Sequence, residues 1–245
     1  MEIIRSHIFS LYPQIVFGMS TRNGGVSSGT LGLNLSFNVG DEKVNVIENR
    51  MRFFGSLHIG LDELAFPMQC HSSNVRSITT WGGYEECDGL VTNEFGVFIA
   101  VSVADCVPVF LFDPKTRTLA GIHAGWRGTA SGIVKHGVVQ MISEFASDPK
   151  DLVAFIGPSA GKCCYEVDEE VAEKFGAEFV SNGTSGKRKV DLKNANRHQL
   201  LSQGVLGSNI EVHGGCSIHE DALYHSHRRD GKGSGRMMAV AGIVR

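Results

Sequence analysis

Cys106 follows Val-Ser-Val-Ala-Asp, and His123 follows Thr-Leu-Ala-Gly-Ile, within the stretch VSVADCVPVFLFDPKTRTLAGIHAGWRGTA. Each stands where an apolar run gives way to a turn, the place where side chains converge on a cleft while the scaffold stays rigid. A thiol and an imidazole so placed admit three readings: a nucleophile with its general base, two ligands of a metal, or small core residues. His71, in FPMQCHSSNV, is a third residue of the same kind, with an aromatic and a proline before it and a polar loop after it. The pattern predicts a strand end there, and alternation along a strand turns Cys70 away from whatever His71 faces. A His71/Cys106/His123 set suits zinc, and three protein ligands leave the open position of a catalytic site. Cys106 acting as nucleophile with His123 as base uses two of the same residues. Spacing alone leaves both assignments open.

Five arginines lie in glycine-rich surroundings: Arg22 in TRNGG, Arg127 in GWRG, and Arg228, Arg229 and Arg236 in HRRDGKGSGR. Guanidinium forks match phosphate and carboxylate groups, and the turn at 124–129 offers backbone N–H groups at a helix start. Each arginine also has a structural reading, with Asp230 placed to pair with one of Arg228 and Arg229. Trp126 either stacks on a flat substrate or plugs its loop onto the core. Cys163 and Cys164 are adjacent, so the expectation is that they do not both face one site and are structural. Glu166 and Asp168 in YEVDEE suit a helix start, where negative charge is favoured.

The elements that must position these residues follow from periodicity. Residues 97–112 are a dense β-branched and aromatic run with Pro108 inside it, which predicts two strands broken at Asp105–Pro108. LAGIHA, LVAFIG, IEVHGG and RMMAVAGIV predict further strands. A helix is expected from the Gly-Trp-Arg-Gly-Thr turn to about Phe145, capped by Thr129 or Ser131. Apolar residues at 44, 47, 51 and 54 predict another helix, stopped by Gly55. VDEEVAEKFGAEF and DLKNANRHQLLSQGV read as helices, and STRNGGVSSGTLGLN as a long loop. Strands and helices alternate without a clean βαβ rhythm, so the expected fold class is a single α/β or α+β domain, residues 1–245, with mixed sheets.

Composition excludes several function classes. With 42% hydrophobic and 20% charged residues the 245-residue chain reads as a soluble globular protein. A formal net charge of -3 gives no electrostatic case for a nucleic-acid or membrane partner. Neither a spanning apolar run nor a signal-peptide pattern is seen, so a cytoplasmic location with reduced thiols is expected. The six cysteines contain no Cys-x-x-Cys pair, so any metal site must be assembled from distant residues.

The motifs ADC (104–106), HAGWRG (123–128) and RRDG with GR (228–236) resemble the signature of the laccase-domain, or YfiH-like, proteins. These are also described as multicopper polyphenol oxidase-like proteins and as purine nucleoside phosphorylases. TRNGGVS, NVGDE, ENR, QCH, DGLVTN, GPSAG, YEV and DLKNANRHQL match the family in order, from about residue 17 to the C-terminus. The resemblance implies mixed sheets layered between helices, similar to a cysteine-deamidase toxin domain. It carries the family's metal ligands onto His71, Cys106 and His123. It implies zinc-dependent phosphorolysis of adenosine, inosine or methylthioadenosine, adenosine deamination, and for some bacterial members peptidoglycan-precursor editing. Purine nucleosides and phosphate are then the small-molecule partners. Asp105 and Asp88 are the nearest candidates for a general acid or base. Arg22, Arg127, Arg228 and Arg236 are the candidates for a phosphate clamp, with Arg229 beside them. The chain departs from the family at Cys70 and Ser72 around the histidine, and at His227, where tyrosine is usual. A multicopper oxidase needs about ten copper ligands, mostly in His-x-His pairs. One such pair is present, His225 and His227, which argues against laccase chemistry while leaving copper as a second metal the His/Cys/His set could take.

Overall fold

A computed structural model describes residues 1–245. The chain opens with β1 (Ile3–Ile4) and β2 (Ile15–Ser20), and a long irregular loop leads to α1 (Lys43–Gly55). Five short strands follow: β3 (Leu64–Pro67), β4 (Val75–Ser77), β5 (Gly82–Tyr84), β6 (Gly89–Thr92) and β7 (Phe98–Val103). Next come β8 (Val107–Asp113), β9 (Thr118–Ala124), α2 (Trp126–Ala130), α3 (Ile133–Phe145) and β10 (Val153–Ile156). The C-terminal third carries β11 (Glu166–Val167), α4 (Glu169–Ala172), β12 (Val180–Asn182), β13 (Arg188–Val190) and α5 (Leu192–Ser202). It ends with β14 (Ile210–Val212), α6 (His227–Asp230) and β15 (Met237–Ile243).

Two six-stranded mixed sheets result, in the orders β1-β2-β15-β7-β3-β5 and β14-β10-β8-β9-β6-β4, with a small third sheet β11-β13-β12. In each large sheet the central pairings are antiparallel and parallel pairs lie toward an edge. Period-2 alternation explains the layering. Ile99, Val101 and Val103 of β7 pack with Phe110 and Phe112 of β8 between the sheets. Phe98 and Ala100 point the other way, against Phe53 and Phe54 of α1. Val107, Val109 and Leu111 likewise face α3 and α5. The order is helix, sheet, sheet, helix, a single-domain mixed α/β fold. Strands β7 and β8 are buried on both faces, which is why each reads as a dense apolar run; the break falls at Ala104–Cys106, and Pro108 lies inside β8. No helix is long and apolar enough to cross a membrane.

Several local expectations are corrected. The helix α1 forms, but Val44, Ile47 and Met51 are exposed, and its inward face is Val46, Asn49, Phe53 and Phe54. The helix expected from Gly125 to Phe145 is two helices, because Gly132 at φ +78° breaks it, and neither Thr129 nor Ser131 caps α3. The predicted helix VDEEVAEKFGAEF shrinks to an α-helical turn at Glu169–Ala172 and a 3-10 turn at Ala177–Phe179; Asp168 starts the first, while Glu166 lies in β11 and accepts from Thr184.

Candidate metal centre

The connection from β7 to β8 crosses from one large sheet to the other, and Cys106 sits in it. Asp105 makes the turn at φ +89°, a left-handed backbone that a non-glycine residue adopts only when its surroundings hold it there. Both Asp105 oxygens are engaged: Oδ1 accepts from the Ser217 hydroxyl at 2.7 Å and Oδ2 from the Arg228 backbone N–H at 2.6 Å. His123 lies in β9, where it pairs with Pro108 and is buried. His71 is not at a strand end. It stands four residues past β3, in a loop, at φ +61°, and is exposed.

One buried carboxylate organises these residues. Asp88 accepts from His123 Nδ1 at 2.8 Å and from the backbone N–H groups of Cys70, His71 and Ser72 at 3.1, 3.0 and 2.7 Å. It also accepts from the Ser72 hydroxyl at 2.8 Å. The same side chain therefore fixes the His123 ring and folds the loop that carries His71. Donation from Nδ1 leaves His123 Nε2 as the free ligand nitrogen, the arrangement seen in carboxylate–histidine–metal triads. The ligand atoms of His71, Cys106 and His123 all lie within 4.8 Å of one another. His71 Nε2 is 3.9 Å from Cys106 Sγ, and the two imidazole rings meet edge to face at 5.0 Å. Cys70 lies outside the group, held to Asp88.

Electrostatics reflects the crowding. Burial pushes the Cys106 thiol up, but the His123 charge and hydrogen bonds from His123 and His71 outweigh it and bring the thiol down to about 6. Burial likewise lowers His123, but Cys106 and Asp88 raise it to about 9. Asp88 is opposed by burial too, yet the bonds from His123 and Ser72 hold its carboxyl far below the usual range. The two groups thus favour each other's charged forms. The donor set also fits a metal. Two nitrogens and one sulfur converge, one histidine has its carboxylate behind it, and three ligands leave a position open. A Cβ at Gly125 would stand 2.9 Å from His71 Cδ2 and 3.2 Å from Cys106 Sγ, so only glycine leaves these two side chains undisturbed.

The three residues open onto a cavity of about 780 Å³, walled by Phe37, Phe66, Trp126 and Tyr165 and by the cations Arg50, Arg228 and Arg236. Arg50 lies over Phe37 and Phe66 with its guanidinium carbon 4.5 and 5.1 Å from the ring centroids, and Arg228 over Tyr165 at 5.0 Å. Asp105 and His227 also line it. The structure does not bring the other arginines to this wall. Arg22 is spent on the carbonyls of Asp221 and Thr30 at 2.8 and 2.7 Å. Arg229 pairs with Asp230 at 2.7 Å and with the Tyr224 carbonyl. Arg127 stacks on Trp126 at 4.3 Å, outside the lining. Arg50, Phe37 and Tyr165 join the cavity wall beyond the residues the sequence predicts for it. Arg50 falls in ENR and Tyr165 in YEV, stretches that match the family, but neither the residue types nor their spacing mark a cavity wall.

A four-layer α/β/β/α molecule with a His/Cys/His cluster at its sheet crossover is the class that fold and site define. Residues 16–244 match the family described as multi-copper polyphenol oxidoreductase laccase. The purine nucleoside phosphorylase YlmD of Geobacillus stearothermophilus is 36% identical over 93% of this chain and 89% of its own length. The adenosine deaminase RL5, from an unknown prokaryotic organism, is 37% identical over 87% of each chain. The crystal structure of Geobacillus stearothermophilus YlmD superposes with a TM-score of 0.93 at 35% identity, over 100% of this chain and 97% of that one. The chain belongs to this laccase-like, YfiH-related family.

Proposed function

We propose that this chain is a zinc-dependent enzyme of purine nucleosides. It cleaves adenosine, inosine or methylthioadenosine with phosphate, and it deaminates adenosine in the same cavity. The observation that carries the reading is the convergence of His71, Cys106 and His123, from three separate segments, onto one point at the wall of a cavity of about 780 Å³, roomy enough for a nucleoside with phosphate beside it. The names of its relatives, phosphorylase and deaminase, point the same way. His71, Cys106 and His123 hold the zinc, which when bound supplies Lewis acidity to a substrate or water oxygen. Asp88 keeps His123 in the tautomer that offers Nε2 and holds the His71 loop in place. Phe37, Phe66 and Tyr165 give a planar base apolar faces, and the ring clamps hold Arg50 and Arg228 toward the cavity. Arg50, Arg228 and Arg236 supply positive charge for phosphate. Asp105 borders the cavity and ties down the backbone of Arg228.

The test is a metal-quantified assay of these nucleosides with and without inorganic phosphate. About one zinc per chain and phosphate-dependent release of free base are expected. Equal consumption without phosphate sinks phosphorolysis and leaves deamination or hydrolysis.

A second reading has its own observation, the Cys106 thiol brought down to about 6 beside a His123 raised to about 9, which suits a metal-free cysteine hydrolase or amidase. It requires activity that survives chelation and His71→Ala. The zinc reading requires both treatments to abolish it.

A further inference from the structure

Cys163, Cys164 and Cys216 lie away from the cavity wall described above, and their three sulfurs are within 4.8 Å of one another. Adjacent cysteines face opposite ways in a strand, but these two occupy a tight turn, with the N–H groups of Cys164 and Tyr165 both returning to the Gly161 carbonyl at 3.0 and 2.9 Å. The turn folds both thiols toward Cys216, which a bridge to Ser159 fixes alongside. A metal–thiolate bond of about 2.3 Å places the sulfurs of a shared ion about 4 Å apart, so the spacing needs little adjustment.

We propose that Cys163, Cys164 and Cys216 form a second metal site, which takes one copper(I) ion through three thiolates. The surroundings are built for sulfur. The Gly161 N–H donates to Cys216 Sγ at 3.2 Å. A Cβ at Gly161 would lie 3.1 and 3.2 Å from the sulfurs of Cys216 and Cys163, so a side chain there would fill the cradle. Lys193, buried beneath the loop, sets its ammonium on the carbonyls of His213 and Gly215 at 2.9 and 2.8 Å and places a positive charge near Cys216 and Cys163. That charge offsets the negative excess of three thiolates around a monovalent ion. Glu220 Oε1 accepts from the Cys216 N–H and His213 Nδ1 from the Gly215 N–H, and neither residue belongs to the group of converging ligand atoms. Three soft ligands with no fourth protein donor select copper(I) over zinc, whose structural sites are four-coordinate.

The experiment uses the full chain, reduced and anaerobic, in a Cys106→Ala background that removes the first centre. Copper(I) alone is added and challenged with a chromogenic copper(I) chelator. One copper(I) per chain should be withheld, with only sulfur in the first shell by X-ray absorption. Cys216→Ser should weaken retention more than about 100-fold, beyond the roughly 10–100-fold cost of an outer-shell change. Cys163 is exposed, so Cys163→Ser gives the same loss without a folding penalty. Unchanged retention in the Cys163→Ser variant, nitrogen in the first shell, or zinc held there in preference to copper(I) overturns the proposal.

Discussion

Asp88 is fully buried, and every hydrogen bond it accepts bears on the candidate metal centre. Its Oδ1 takes the His123 ring and the His71 N–H, and its Oδ2 takes the N–H groups of Cys70 and Ser72 and the Ser72 hydroxyl. An amide in its place presents an NH₂ group to donors and cannot satisfy both sides. Asp88→Asn should therefore reduce zinc affinity about 10–100-fold, the usual cost of an outer-shell partner, and lower stability by about 1–3 kcal/mol. Competition against a chromophoric chelator measures the first effect and urea unfolding the second. Zinc affinity equal to wild type would mean that Asp88 serves folding alone. Asp105 differs, because its oxygens hold Ser217 and Arg228, so Asp105→Asn should spare zinc affinity while changing the Michaelis constant for phosphate.

At the scale of elements, the turn between β9 and α2 matters most, because Gly125 there faces two of the three proposed ligands. Its backbone, φ -71° and ψ 172°, suits any residue, so the constraint is purely the space beside His71 and Cys106. Gly125→Ala should fold with little change in melting temperature yet bind zinc at least about tenfold more weakly. Metal content after dialysis, read beside a thermal melt, checks this; full zinc content would sink it. The sequence made the strands around this turn readable, since β7, β8, β9, β10 and β15 are buried on both faces and their residue types carry the signal. The face of α1 was not readable. Asn49 is turned inward to bond Ser27, Gly32 and Asn34 of the long loop and to accept from Val26, so a polar residue sits where periodicity demands an apolar one. Val44, Ile47 and Met51 meanwhile form an apolar stripe on the outside. The three proposed ligands are legible as residue types, whereas Arg50 and Tyr165 reach the cavity only through tertiary packing. The small sheet β11-β13-β12 has strands too short to show alternation.

For the whole molecule, the layered core leaves one imidazole in a difficult place. His225, in the loop just before α6, is wholly buried, and neither ring nitrogen has a hydrogen-bond partner. Burial, reinforced by the charges of Arg22 and Arg236, brings it down to about 3. The unfolded chain binds this proton near pH 6.5, whereas the folded protein refuses it until about pH 3. Between those values the unfolded state holds more protons, so stability is full above about pH 6.5 and falls as pH drops through the window. From pH 7 to pH 5 the loss is about 2 kcal/mol. The carboxylates held low by partners, Asp88 among them, act in the same direction but only near and below their unfolded values around pH 4. In zinc-loaded protein the proposed ligands do not titrate. His225→Leu removes both unpartnered nitrogens, so its unfolding free energy should fall by about 2 kcal/mol less than wild type between pH 7 and pH 5. Urea unfolding of the zinc-loaded proteins at the two pH values gives the comparison. Parallel losses would mean that His225 takes its proton without unfolding, and that the layers open locally to admit it.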